Sequence, residues 1–350
     1  LRVTGTMVGN GILPSVSVGD YGAVGNGIND DTDSIQNALD KSSGKRVYFP
    51  KGTYMVSKTI EIPSNTHIFG DGESTVIKMI STVGRDTTLM RTGKRGNKRE
   101  HIIISDMTLD FNRDRWNVPG GETLLDTDGG DQDNDQTTLS ICFSEYVLVK
   151  NVRCLDGYKH CIDITAPRYQ DSDGTKYDDE PSRYVTIENC FASGAGDDNI
   201  TTHFSSNILI TGCRSITPSG VRTGNNSNCF EIDDGSRNVT MTNNVAVKGN
   251  KGLQIKGHDY APAPYNVIVD GYRAINCARG VDIKHLGFDS VNKPSPNAKN
   301  IKLSNIDVIS PKNFEAINSD GVVINTYNAK YPIRVSSYDT VHMTNISVSD

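Results

Sequence analysis

A degenerate repeat from residue 100 onward constrains the fold of this chain more than any other feature of the sequence. Each copy is an apolar–polar–apolar run that ends in Asn, Asp or Gly. The eight copies occupy residues 101–106, 146–151, 184–189, 207–212, 238–243, 266–271, 300–305 and 340–345. Their last positions are separated by 45, 38, 23, 31, 28, 34 and 40 residues, so a coil without inserted loops is close to the 23-residue step. Because one such unit cannot bury its inner face alone, the repeat predicts stacked coils around a continuous core.

A second series of strands lies between these copies and carries most of the charged residues. It occupies residues 161–165, 199–203, 229–233, 252–256 and 280–284. Side chains alternate between the two faces of a strand, and matching residues on adjacent coils lie roughly 4.8 Å apart. The predicted inward stack is Ile164, Thr202, Ile232, Ile255 and Ile283. The two predicted outward columns are Asp163, Thr201, Glu231, Gln254 and Asp282, and Thr165, His203, Asp233, Lys256 and Lys284. A two-residue shift of 199–203, with Ile200 in the stack, would keep the same side chains outside.

Composition excludes several classes of function. The 350 residues carry a formal net charge of -6, which argues against nucleic acid as the main partner. No apolar run approaches the roughly 18 residues of a membrane span, so membrane insertion is not expected. The seven cysteines form no CxxC pair, which predicts buried free thiols and folding in a reducing cytoplasm. The chain starts at Leu1 with neither a start methionine nor a signal peptide, which predicts a fragment or a processed chain.

The N-terminal part predicts how the coils begin. Residues 1–15 are interpreted as an arm or linker, and residues 16–350 as one β domain whose last coil stops incomplete at Asp350. The run DYGAVGNGINDDTDSIQNAL, residues 20–39, predicts glycine turns followed by a helix. Asp31 or Thr32 is the expected cap, and the helix carries its apolar residues on one face. Short strands follow in VYFPKGTYMVS, residues 47–57, and in IFGDG, residues 68–72.

This N-terminal segment resembles the start of the right-handed parallel β-helix, pectate-lyase-like superfamily. The resemblance implies an all-β, single-stranded parallel β-helix in which the short helix caps the first coil. It implies little about function, because enzymes, spikes and binding proteins share this beginning.

The stretch around Glu231 and Asp233 is the predicted site of chemistry. Both carboxylates face outward from one strand, and the strand rise places them roughly 6.5–7 Å apart. Two carboxyl groups roughly 6.5–9.5 Å apart suit an inverting glycosidase. We predict Glu231 as general acid and Asp233 or Asp198 as general base, with Asp197 beside it as a further catalytic candidate. The alternative interpretation of the cluster is an outward ladder of structural salt links.

Further residues are expected to hold the polymer and to tune the charge of this site. They are His203, Asp234, Lys256, Gln254, Asp163, Asp282 and His258. We expect neither a cofactor nor a metal in the site. An acidic loop at 126, 128, 131, 133 and 135 lacks the spacing of a calcium-binding EF-hand, so a solvated loop is favoured. Trp116, Tyr169 and Tyr260 are candidate platforms for sugar rings.

The GAGDDNI stretch, residues 194–200, resembles the Gly-Asp-Asp motif of polygalacturonase-type hydrolases, which invert with clustered aspartates. Asp197 and Asp198 match that pair, and Lys256 matches the lysine of their Arg-Ile-Lys motif. Gln254 replaces the arginine of that motif, so the resemblance does not imply uronate specificity. Two other motifs of these enzymes are absent: residues 158–160 stand where their Asn-Thr-Asp lies, and residues 227–229 where their Gly-His-Gly lies.

From the N-terminal motif to EIDDGSRNVTMTNN, residues 20–244, the chain is more similar to phage tailspike and tail appendage β-helices. The resemblance implies a homotrimer on the virion that binds, and often cleaves, bacterial surface polymers. We therefore expect a tail appendage domain that hydrolyses a cell-surface polysaccharide or a teichoic-acid-like polymer; a secreted protein is the alternative location. Three other hypotheses stay open: a calcium-dependent lyase with Lys256 as base, a receptor-binding spike without activity, and a rigid stalk.

Overall fold

Two parallel sheets form most of the computed structural model, which describes residues 15–80, 87–112, 136–171, 174–177, 180–218, 227–289, 291–317 and 322–350. The nine-strand sheet consists of Ile60–Glu61, Met90–Arg91, Leu139–Cys142, Ile162–Thr165, Ile200–Thr202, Asn228–Ile232, Lys251–Gly257, Arg279–His285 and Ile333–Val335. The seventeen-strand sheet consists of Ser15–Ser17, Asn26–Asp30, Arg46–Phe49, Gly52–Val56, Thr66–Gly70, Thr75–Met79, Arg99–Asp110, Ser144–Leu155, Arg183–Glu188, Phe191–Ser193, Ser206–Thr211, Arg214–Ile216, Arg237–Thr242, Val245–Val247, Tyr265–Ile275, Ile301–Ile309 and Val341–Ser349.

The remaining elements are small. Two antiparallel hairpins project from the coils, Arg168–Asp171 with Gly174–Tyr177 and Phe314–Ile317 with Val323–Tyr327. The helices of the described residues are the α-helix Thr32–Asp40 and the 3-10 turns Val18–Tyr21 and Gly72–Ser74. None of them is long and apolar enough to cross a membrane.

The strand pairings confirm the predicted parallel β-helix. The chain alternates between the two sheets, and each strand within them pairs in parallel with the equivalent strand of the next coil. Thr202 pairs with Ile164 on one side and with Ile232 on the other, so the unshifted register is adopted. The inward stack of isoleucines is fully buried.

The last position of each repeat is a sharp backbone bend. All eight of these residues have a positive φ, between 51° and 66°: Asp106, Asn151, Asn189, Gly212, Asn243, Gly271, Asn305 and Asn345. Only glycine adopts this left-handed region without strain, and asparagine and aspartate tolerate it better than other residues. The restriction of the repeat to Asn, Asp and Gly at this position therefore follows from backbone geometry.

The first position of the repeat forms a ladder along the helix axis. His101, Tyr146 and Tyr184 stack with ring centroids 5.0 and 5.1 Å apart. From Asn207 to Asn300 the ladder continues through side-chain amides, each donating to the amide oxygen of the preceding coil at 3.0–3.3 Å. Like residues in register thus fix one coil on the next.

The N-terminal helix covers the first coil as predicted, but the side chain of its cap residue bonds elsewhere. Ile35, Ala38 and Leu39 are fully buried on one helix face. The Asp31 carboxylate makes no bond to the helix and instead accepts from Val24 N at 2.7 Å and from Gly25 N at 3.0 Å. Asp31 is the N-cap residue, as predicted, but its side chain does not bond to the helix because the preceding glycine turn takes that carboxylate.

Other predictions lie partly or wholly outside the described residues. The arm at 1–15 is described only at Ser15, which begins the first strand. The acidic loop at 126–135, Trp116 and the side chain of Tyr169 are not described. All seven cysteines lie in the described residues. They are free and buried, which confirms the prediction of buried thiols.

Candidate active site

The outward column of the nine-strand sheet is assembled as predicted but is buried. Asp163, Thr201, Glu231, Gln254 and Asp282 follow one another in register across five strands. Each is at most 1% exposed. The sequence predicted a solvent-facing column. In the structure the charges lie in a region of low dielectric, where each electrostatic contact is stronger and each unpaired charge is more costly.

Lys256 is the centre of the cluster. Its Nζ lies 3.0 Å from Glu231 Oε1 and 3.0 Å from Asp233 Oδ2. One oxygen of each carboxyl group lies within 4.8 Å of the other. The inverting separation of the two carboxyl groups stays a prediction.

Glu231 is held as a carboxylate. Asn228 Nδ2 donates to it at 3.0 Å and Thr201 Oγ1 at 3.3 Å. Burial alone would raise the pKa of Glu231, but the Lys256 ammonium lowers it well below its usual range. Burial would also lower the pKa of Lys256, yet the surrounding carboxylates raise it well above its usual range. Both members of this pair are therefore charged at neutral pH.

The pKa values of Asp198 and Asp233 are raised, whereas that of Glu231 is lowered. Burial, and then the negative charge of Asp197, raises the pKa of Asp198 well above its usual range. Burial raises the pKa of Asp233 to about 7 in spite of the nearby ammonium. These directions reverse the predicted roles, because Glu231 was expected to carry the proton and Asp233 or Asp198 to be ionised.

Two histidines approach the cluster from the preceding coils. His203 Nδ1 lies 2.9 Å from Asp163 Oδ1, and its Nε2 lies 3.7 Å from Asp233 Oδ2. His160 Nδ1 lies 3.4 Å from the other oxygen of Asp163, and its Nε2 lies 4.0 Å from Asp197. Burial would raise the pKa of Asp163, but the two imidazoles lower it. Asp163 thus orients His203 towards Asp233.

Asp234 and His258 form a pair that spacing did not predict. Asp234 accepts from the backbone N of His258 at 2.8 Å, and its second oxygen lies 2.9 Å from Nδ1. Burial would lower the pKa of His258, but the Asp234 carboxylate raises it. Tyr260 stacks on the imidazole with a centroid distance of 5.1 Å. The two partners are 24 residues apart and meet only through the stacking of coils.

Asp282 closes the cluster on its other side. Arg334 binds it through Nε at 2.6 Å and NH2 at 2.8 Å, and Arg279 NH1 lies at 3.2 Å. Gln254 Nε2 also donates to it, at 3.1 Å. Both carboxylate oxygens of Asp282 are thus engaged within the protein. Neither arginine was predicted from the sequence as a partner of Asp282. Arg334 is 52 residues away along the chain, so spacing gives no signal for this contact.

A family model described as rhamnogalacturonase A/epimerase, pectate lyase-like, matches residues 15–293. The chain belongs to this family. The pre-neck appendage protein of Bacillus phage PZA is 40% identical over 303 residues, which cover 85% of this chain and 34% of the relative. Mannuronan C5-epimerase AlgE1 of Azotobacter vinelandii is 29% identical over 77% of this chain and 18% of its own length. The chain thus spans about a third of the length of the phage relative.

The crystal structure of the N-terminal fragment of gene product 12 from bacteriophage phi29 is similar to the whole fold. Its TM-score is 0.80 at 35% identity, over 96% of this chain and 53% of that one. These comparisons confirm the predicted resemblance to pectate-lyase-like β-helices and to phage appendage proteins.

The cluster around Lys256 also contains His and carboxylate side chains that lie close enough together to hold a metal ion. Three sets of His and carboxylate atoms among the described residues lie within 4.8 Å of one another, at 160/197/198, at 203/231/233 and at 233/234/258. Lys256 Nζ lies 3.0 Å from both Glu231 and Asp233 of the second set, and its ammonium already supplies positive charge there. We assign no metal to these sets.

Proposed function

We propose that this chain is part of a phage tail appendage on the virion that binds and hydrolyses a bacterial cell-surface polysaccharide or teichoic-acid-like polymer. The names of the phage relatives support the location, and the family description supports action on carbohydrate. A homotrimer stays a prediction, which light scattering of the purified protein tests.

One arrangement carries the proposed chemistry: Lys256 Nζ lies 3.0 Å from both Glu231 and Asp233, and the pKa values of these two buried carboxyl groups are shifted in opposite directions. Asp233, with its pKa raised to about 7, is the proposed proton donor to the leaving oxygen. Glu231, held ionised by Lys256, is the proposed group that stabilises or attacks the reacting centre. Pairs of carboxyl groups with separated pKa values are the usual arrangement for acid and base roles near neutral pH.

The structure disfavours two of the alternatives. A lyase would need Lys256 as an unprotonated base, but its Nζ lies 3.0 Å from the carboxyl groups of Glu231 and Asp233, and although burial would lower the pKa of Lys256, the surrounding acids raise it well above its usual range. A stalk has no need of buried charges, which cost several kcal/mol of desolvation each. The receptor-binding spike shares the fold and the polymer, and is separated from the hydrolase only by the test for cleavage.

Chain shortening is measured on a panel of bacterial cell-wall and capsule preparations. Wild type is compared with Glu231→Gln and Asp233→Asn, with and without a chelator. Asp33→Asn serves as the control, since this side chain is 85% exposed and distant in the fold. Cleavage that is lost in both site variants, kept in the control and indifferent to chelator supports a hydrolase. Binding without cleavage would leave the receptor-binding spike.

A further inference from the structure

The cluster reaches solvent at the edge that His258 forms. Glu231, Asp233, Lys256 and His203 are between 1% and 6% exposed. The side chain of His258 is 29% exposed, and its Nδ1 lies 3.9 Å from Asp233 Oδ1. A polymer that approaches Asp233 from this edge therefore passes His258.

A flat aromatic surface lies at this edge. Tyr260 is 68% exposed and lies nearly parallel to the His258 ring, with 11° between the planes. The imidazole is fixed in turn by Asp234, through its backbone N and its Nδ1. One face of Tyr260 is thus supported from within, while most of the side chain stays in solvent.

The loop that carries Tyr260 is held in place by neighbouring coils. His285 Nε2 donates to the carbonyl oxygens of His258 and Ala261, at 2.9 and 3.1 Å. Gly235 N donates to Pro262 O at 2.7 Å, and the Tyr338 hydroxyl donates to Pro264 O at 3.0 Å. A group held in its binding position loses little conformational entropy when a ligand binds.

We propose that Tyr260, backed by His258, is a sugar-binding subsite at the entrance to the cluster, which takes the apolar face of one ring of a glycan. An aromatic side chain offers a large apolar surface with a fixed orientation, which suits the C–H face of a sugar ring. The position next to His258 directs the following linkage of the polymer towards Asp233. The inference rests on the proposed function for the identity of the polymer, but its binding step does not need cleavage.

The test measures binding by affinity electrophoresis in gels that contain Bacillus cell-wall polysaccharide or teichoic acid. Tyr260→Ala is expected to weaken binding about fivefold to tenfold, which is of the order of one lost aromatic contact. Tyr260→Phe keeps the ring and should stay within about twofold of wild type. Tyr331→Ala is the matched control, because Tyr331 is also exposed, at 49%, but lies outside the cluster. His258→Ala should weaken binding to an intermediate degree, since it removes the support of the ring.

Each outcome of this test either supports the subsite at Tyr260 or contradicts it. Unchanged binding by Tyr260→Ala, or an equal loss in Tyr331→Ala, overturns the subsite. A wild type that binds none of the polymers refutes the subsite and the polymer-binding part of the proposed function together. Binding that depends on Tyr260, without any cleavage, supports the subsite and refutes the hydrolase. Cleavage with an unchanged KM in Tyr260→Ala supports the hydrolase and refutes the subsite.

Discussion

Replacement of Lys256 by methionine removes an ammonium that lies between two buried carboxyl groups. Its Nζ is 3.0 Å from each of Glu231 and Asp233. At an effective dielectric constant of about 20, one such contact is worth roughly 5 kcal/mol, and the cost of burying the ammonium offsets part of it. Removal of one partner from a buried ion pair typically costs about 3–5 kcal/mol, and we expect Lys256→Met to lower the free energy of unfolding by this amount at neutral pH.

The stability that Lys256→Met loses relative to wild type should increase as the pH rises. In the wild type the pKa of Glu231 is lowered, so its ionisation stabilises the fold above the unfolded value of 4.5 and this stabilisation is lost as the pH falls. Without the ammonium, burial dominates and raises the pKa of Glu231, so the variant loses stability as the pH rises above that value. The difference between the two proteins should therefore be larger at about pH 7.5 than at about pH 5.

Urea unfolding followed by far-UV circular dichroism measures both effects. Lys284→Met is the matched control, because Lys284 pairs in register with Lys256 on the next coil. Burial lowers the pKa of Lys284, so its removal should leave stability nearly unchanged or raise it slightly. The reasoning would be refuted by a Lys256→Met protein as stable as wild type, or by a loss that is the same at both pH values.

Three further outcomes are expected. Polymer cleavage should decline as the pH rises above about 7, since Asp233, with a pKa of about 7, must be protonated to donate; a pH–rate profile that keeps rising above that value contradicts the role. Asn243→Gly should preserve the melting temperature, whereas Asn243→Val should cost about 1–2 kcal/mol, because the residue has a φ of 55°; equal melting of both variants would speak against the bend as the reason for asparagine. A thiol reagent such as Ellman's should find none of the seven buried cysteines in the native protein and all seven after denaturation, and rapid native labelling would disagree with their burial.

The fold was predictable because its signals are local and repeated. Alternation within each strand determines which side chains face inward, and the residue at each bend needs a backbone conformation that few residues adopt. A parallel register then carries the same parity from coil to coil. The column from Asp163 to Asp282 followed from these two rules alone.

The chemistry of the site was less predictable because it depends on contacts distant in sequence. The expected roles of Glu231 and Asp233 assumed exposed carboxylates, while burial and a shared ammonium reverse their pKa shifts. The Asp31 side chain makes no bond to the helix for a similar reason, since backbone N–H groups 6 and 7 residues earlier donate to its oxygens. His258 lies 24 residues from Asp234, and Arg334 lies 52 residues from Asp282, so neither pair follows from a pattern of spacing.

The asparagine ladder has a consequence for how this molecule can change in length. Each rung bonds to the same position of the neighbouring coil, from Asn207 through Asn238 and Asn266 to Asn300. Removal of residues 266–299 would bring Asn300 against Asn238, and the rungs would join again. Removal of half of that segment would place the Asn300 amide opposite a different position of the neighbouring coil, away from its asparagine partner. Exchange of whole coils between related genes would therefore keep the ladder and the axis of the protein while it replaces the side chains of the nine-strand sheet.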